Sequence, residues 1–152
     1  VPLPGVTAAI EIEVPPEKVW ALMCDPHRYP EFAEPTDRMI DVPDQEFGKG
    51  YVYKEHGGIA PFKSESEWTV TEFDPRRRQV HSGFDGTARF QLAIDLEPSA
   101  KGTRFSIGAD VRPRWFMAPL ALAMWPLVMR RRAQEAMDRT ALNVKTLLEA
   151  DG

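Results

Sequence analysis

Cysteine is almost missing from this chain: Cys24 is the only one in 152 residues. It can form no internal disulfide and no cysteine metal cluster, and a reducing cytoplasm is the simpler compartment. The histidines His27, His56 and His81 have no metal-ligand spacing, so no metal is implied. No glycine-rich phosphate loop occurs, and no cofactor is implied. An excess of basic charge is also missing. The net charge is −4 with a pI near 5.4, which argues against a nucleic-acid partner. Only one long hydrophobic run exists, residues 115–129. It is shorter than the roughly 20 apolar residues of a spanning helix, and Pro119 and Pro126 interrupt it. The opening Val1-Pro2-Leu3-Pro4-Gly5 has neither a basic start nor an apolar stretch, so no targeting segment is read there. Internal repeats and low-complexity linkers are absent. What remains is a globular balance of 43% hydrophobic and 28% charged residues. Its length fits a single domain over residues 1–152.

What the chain does contain is a series of strand-like segments. Residues 7–14 alternate, with Ala8, Ile10, Ile12 and Val14 on one face and Ala9, Glu11 and Glu13 on the other. That predicts a half-buried strand. Pro15-Pro16 ends it, and Pro16 suits an early helix position. Residues 17–25 read as a short helix with Val19, Leu22 and Met23 inward. Tyr29-Pro30-Glu31-Phe32 reads as a second short helix or turn. Strands follow over residues 39–42, 51–56, 62–73, 79–84, 87–96 and 103–111. Gly57-Gly58 and Asp85-Gly86 read as hairpin turns between them.

The last third is helical. Its first half, residues 115–129, is almost wholly apolar and rich in Met and Trp; its second half has Ala133, Met137, Ala141, Val144 and Leu148 on one stripe. Pro126 lacks an N–H, so a kink or break near Leu122 is expected.

The segment Ala9-Ile10-Glu11-Ile12-Glu13-Val14-Pro15-Pro16-Glu17-Lys18-Val19-Trp20 carries a resemblance, together with Tyr29-Pro30-Glu31-Phe32, the Gly102-Thr103-Arg104-Phe105 strand entry and the long terminal helix. The chain resembles the START-like superfamily, also called SRPBCC or helix-grip, in particular its polyketide cyclase/dehydrase and lipid-transport branch. The likeness covers essentially the whole chain. It implies an α+β fold: a curved antiparallel sheet of about six to seven strands around a long C-terminal helix, with two short helices after strand 1. It also implies a pocket for a hydrophobic small molecule. No universal catalytic residue of the superfamily maps onto a position here.

Within that frame the apolar run supplies Trp115, Met117, Leu120 and Met124 as candidate cavity wall, Met because it adapts to varied shapes and Trp because it gives broad contact. Strand alternation supplies Tyr53, Ser66, Trp68, Ser82, Phe84, Phe90 and Phe105. Glu55 shares a face with Tyr53. Buried, its pKa rises and it becomes an acid or base, with Tyr53 and His81 as partners. Otherwise it faces water beside the Gly57-Gly58 turn. The pairs Glu65/Glu67 and Glu11/Glu13 read as a solvated convex face, and Cys24 as a small buried residue. Three functions stay open: binding of a lipid-, quinone- or polyketide-like molecule, a cyclase or dehydratase acting on one, or a membrane-associated accessory protein. In the last, Arg112, Arg114, Arg130, Arg131 and Arg132 reach anionic headgroups. Oligomeric state is not readable.

Overall fold

The computed structural model describes residues 3–151; Val1 and Pro2, in the opening read as carrying no targeting segment, and Gly152 lie outside the described residues. Seven strands form one antiparallel sheet: β1 (Val6–Ile12), β2 (Thr36–Asp41), β3 (Val52–Ile59), β4 (Phe62–Asp74), β5 (Arg78–Phe84), β6 (Ala88–Ser99) and β7 (Gly102–Pro113). Their order is β1-β7-β6-β5-β4-β3-β2, so β2 to β7 run as a meander and β1 closes against β7. Between β1 and β2 lie α1 (Pro16–Met23), a 3-10 turn at Pro26–Arg28, and α2 (Tyr29–Phe32). The chain ends in α3 (Ala118–Met124), a π-helical turn (Trp125–Met129) and α4 (Arg130–Asp151). This is the α+β helix-grip arrangement that the family resemblance implies, with a curved sheet.

Two local expectations are corrected. Gly57-Gly58 is not the hairpin turn: β3 runs on to Ile59 and the chain reverses at Ala60-Pro61. Gly57 instead permits close approach of β2, since a Cβ there would collide with the Pro35 carbonyl oxygen. Of the kink or break expected near Leu122 from Pro126, the break is absent, and the helix departs from α geometry in a π turn at Trp125–Met129. The missing N–H falls inside the π turn, where the wider register absorbs it and the helix continues into α4.

The stripe read from the sequence is buried: Ala133, Met137, Ala141, Val144 and Leu148 face the sheet. Around the C-terminal half of α4, Val144 and Leu148 join Ile12, Val19, Leu22 and Phe105 in a filled core. Each such side chain contributes about 1.5–3 kcal/mol by leaving water. Side chains of α4 also cover the free edge of β1. Gln134 Nε2 donates to the Thr7 carbonyl at 2.7 Å and Lys145 Nζ to that of Glu11 at 2.9 Å, while Glu149 accepts the Glu13 N–H at 2.9 Å. Those bonds satisfy backbone groups that an edge strand otherwise leaves open. On its other side Asn143 Nδ2 donates to the Phe32 carbonyl at 3.1 Å. The helix is thus held along one edge of the sheet and against α2. No helix among the described residues is long and apolar enough to cross a membrane.

Candidate functional site

Above the filled half of α4 the helix and the sheet stand apart around a cavity of about 280 Å³. Met117, Ala121, Met124 and Trp125 line it from the apolar helix, and Ala133 and Met137 from α4. Trp68, Phe90, Leu92, Ile107, Ala109 and Val111 line it from the sheet. Small residues leave room for the void: Ala109 on β7 and Ala133 on α4 both line it, where larger side chains would intrude. Gly83 opposite Trp68 serves the same end, because its bare Cα lets the indole lie flat on β5; a Cβ there would stand 2.6 Å from the ring. Tyr53, Trp68 and Phe90 form a continuous aromatic row, with centroids 6.5 and 6.0 Å apart. Phe62 and Leu120 belong to the wall and are 44% and 47% exposed, so they form its rim.

One part of the wall is polar. Thr36, Glu55, Ser64, Ser66 and Thr140 line it beside Asp85. Most of these groups are already occupied. Trp68 Nε1 donates to Ser66 Oγ at 2.9 Å, Ser64 donates to Asp85 at 3.3 Å, and Thr140 donates to the Ala136 carbonyl at 2.8 Å. The Asp85 carboxylate also accepts the Thr87 and Ala88 N–H groups at 2.8 and 3.0 Å, which ties it to its turn. Glu55 is different. It is 9% exposed, and its Oε2 has no hydrogen-bond partner. Burial pushes its pKa up to about 7, against the opposing pull of the Thr36 hydroxyl. The Trp125 indole N–H is buried at the same wall and is also unpartnered.

Tyr53 and His81 lie elsewhere. Tyr53 Oη donates to His81 Nδ1 at 2.8 Å, His81 Nε2 donates to Gln79 Oε1 at 2.9 Å, and Gln79 Nε2 donates to Cys24 Sγ at 3.3 Å. The Gln79 oxygen can only accept, so Nε2 carries a proton, and with a neutral ring Nδ1 is left to accept from Tyr53. Desolvation agrees, lowering the His81 pKa to about 4, while burial raises the Cys24 thiol to about 11. Both Tyr53 and His81 are at least 98% buried, and neither lines the cavity. The trio Glu55, Tyr53 and His81 is therefore not brought together: Glu55 stands at the wall, and the other two form a closed network behind Trp68.

Of the expected ligand-wall residues, Ser66, Trp68, Phe90, Met117, Leu120 and Met124 line the cavity. Ser82 and Phe84 do not. The register pairs Trp68 with Gly83 and Val70 with His81, so on β5 the inward set is Gln79, His81 and Gly83. Phe84 points outward, under the Arg89 guanidinium at 5.0 Å. The expected face of β5 was off by one residue, and a bulge in β4 between Val70 and Glu72 is what uncouples the two ends of that pairing. Phe105 is fully buried in the filled core, and Trp115 is 82% exposed just before α3; neither belongs to the wall. The sequence reading missed Thr36, Thr140 and Trp125. Thr140 could have been found, since it lies four residues after Ala136 and four before Val144 on the buried stripe.

A curved sheet gripping a helix over a cavity defines the START-like class. The solved structures most useful for comparison agree. A START superfamily protein from Mycobacterium smegmatis superposes with a TM-score of 0.76 at 12% identity, covering 97% of this chain and 99% of its own. The TTHA0849 protein of Thermus thermophilus gives 0.76 at 17% identity, covering 98% and 99%. The Zhui aromatase/cyclase of a Streptomyces strain gives 0.74 at 16% identity, covering 96% and 93%. At these identities the likeness is one of fold. Comparison with curated proteins finds no match. The family model described as polyketide cyclase / dehydrase and lipid transport matches residues 4–149. The chain belongs to that family.

Proposed function

We propose that the chain binds one apolar small molecule in the cavity, a lipid-, quinone- or polyketide-like compound bearing at least one hydrogen-bonding oxygen. One observation carries this reading. Among the described residues three buried side-chain polar atoms lack a partner, and two of them, Glu55 Oε2 and Trp125 Nε1, belong to the cavity wall. An unsatisfied buried polar group costs about 1–3 kcal/mol, so a wall that keeps two of them is better explained by a guest that completes them. A carbonyl or hydroxyl oxygen on the ligand does so, accepting from the indole N–H and from the protonated carboxyl. The rest of the wall offers apolar contact, as small-molecule sites do.

Binding is favoured over catalysis by the same geometry. Cyclisation or dehydration requires a proton donor and an acceptor that converge on the ligand. Of the three carboxyl groups at the wall, Glu55 alone is buried, and burial raises its pKa to about 7; Asp85 is bonded within its turn and Asp110 is exposed, while Tyr53 and His81 spend their hydrogen bonds on each other. The cyclase alternative then rests chiefly on Glu55.

Titration with N-phenyl-1-naphthylamine, a neutral apolar fluorophore, tests the reading. Saturable binding of one probe per chain is expected, and Ala109→Trp, which fills the void from β7, is expected to weaken it at least about tenfold, or about 1.4 kcal/mol. Absence of saturable binding, or equal binding by the filled variant, contradicts it.

A further inference from the structure

We infer that the outward face of α3 and the π turn is a docking surface for an anionic lipid bilayer. Six of the eleven large hydrophobic residues exposed among the described residues fall between positions 115 and 128, and Trp115 and Leu127 lead at 82% and 80% exposed. Leu122, Leu120, Phe116 and Val128 follow at 50%, 47%, 46% and 41%. The helix already uses its other face for the cavity and core, through Met117, Ala121, Met124 and Trp125. Both sides of one short helix are therefore apolar, and the outer side chains are left uncovered among the described residues. Scattered exposed apolar residues are ordinary; a concentration of them in one short segment marks an interaction surface.

Charge identifies the occupant. No charged residue occurs from position 115 to 129, and from 111 to 134 there are five arginines and no acidic residue, within a chain of net charge −4. Arg112 and Arg114 stand at one end of the apolar face and Arg130, Arg131 and Arg132 at the other, all exposed. Only Arg131 pairs with a carboxylate among the described residues, Glu135 at 3.3 Å. Arg89 is paired in register with Arg112 and adds to the first group. An apolar centre with a large exposed tryptophan and a rim of arginines on long stems matches the layered chemistry of a bilayer interface, apolar below and anionic at the headgroups. A second copy of the chain fits worse, because a two-fold contact through this face would set arginine against arginine. The hairpin between β3 and β4 reaches the same level: Arg132 donates to the Ala60 carbonyl at 2.8 Å, and Phe62 is 44% exposed. Phe62 and Leu120 also form the cavity rim, so docking sets that rim against lipid. The inference stands independently of any guest in the cavity.

Co-sedimentation of the full chain with vesicles tests it. Binding is expected to vesicles of phosphatidylcholine containing about a third phosphatidylglycerol, with at least about tenfold weaker binding to phosphatidylcholine alone and a decline as salt rises. Replacing Arg130, Arg131 and Arg132 together by Ala is expected to weaken partitioning about a hundredfold. The pair Trp115→Ala and Leu127→Ala should weaken it about tenfold or more. All five positions are exposed, and circular dichroism verifies that the variants stay folded. No sedimentation with anionic vesicles overturns the inference, and so does binding indifferent to these substitutions. Self-association that Leu127→Asp abolishes, without vesicle binding, overturns it in favour of a second copy.

Discussion

Glu55→Gln is expected to stabilise the protein by about 3 kcal/mol at pH 8 and by less than about 1 kcal/mol near pH 5. The folded-state pKa of Glu55 lies at about 7, against an ordinary value of 4.5. Between those two values the folded state keeps a proton that the unfolded chain has released, so stability falls as pH rises through that window. By pH 8 the whole penalty is present, because the carboxylate is charged, buried and without a partner on Oε2. Glutamine removes the charge and keeps the shape. His81 has the opposite sign: its pKa is lowered from 6.5 to about 4, so its contribution is complete above 6.5 and is lost as pH falls toward 4. From pH 4.5 to 6.5 the two slopes nearly cancel in the native protein. The glutamine variant exposes the His81 slope alone, about 1.4 kcal/mol of stability lost per pH unit of acidification. Urea unfolding followed by circular dichroism over pH 5 to 8 reads both effects. Equal stability of the two proteins at pH 8 would mean that the carboxylate is solvated, and the polar anchor of the cavity would go with it. A costly buried group retained at the cavity wall is the exchange of stability for function that the proposed binding role requires.

Phe105→Ala is expected to cost about 3–5 kcal/mol and to lower the melting temperature by on the order of 10 °C. The ring is fully buried between Ile10 on β1 and Leu96 on β6, its direct register partners, in the part of the molecule that α4 fills. Truncation leaves a hole that rigid neighbours cannot close. At a temperature where the variant remains folded, its affinity for N-phenyl-1-naphthylamine should stay within about a factor of two, because the ring does not line the cavity. Thermal denaturation and probe titration separate the two roles. A large loss of affinity with little loss of stability would return Phe105 to the ligand wall.

The contrast between Phe105 and Glu55 shows what the sequence could reveal. Alternation in β1, β6 and β7 and the 3.6-residue stripe of α4 are strong patterns, because one face of each is water and the other oil; they were legible, and so was the family likeness. Depth along the helix was not. Phe105 and Phe90 have the same inward parity, yet one lies in the filled half and the other at the void, where small residues such as Ala109 and Ala133 line the wall. Parity on β5 was lost for a different reason. Its outward face carries Ser82 and Phe84, its inward face Gln79, His81 and Gly83, so the apolar pattern points the wrong way. The inward polar residues survive burial because they bond to one another and to Tyr53 and Cys24, a compensation between distant segments that no local window contains. Glu55 was visible as a candidate from its parity with Tyr53, and the misplaced Gly57-Gly58 turn was what left its burial undecided.

The methionine methyl groups offer the most direct measurement of where a guest sits. Of the six methionines, Met117, Met124, Met129 and Met137 line the cavity, whereas Met23 is buried in the filled core and Met39 packs at its edge. In methyl-labelled NMR spectra, titration with N-phenyl-1-naphthylamine is expected to shift the first four resonances saturably and to leave Met23 in place. Shifts confined to Met23 and Met39, or no saturable shift at any of the four, would contradict a guest held between the sheet and the helix.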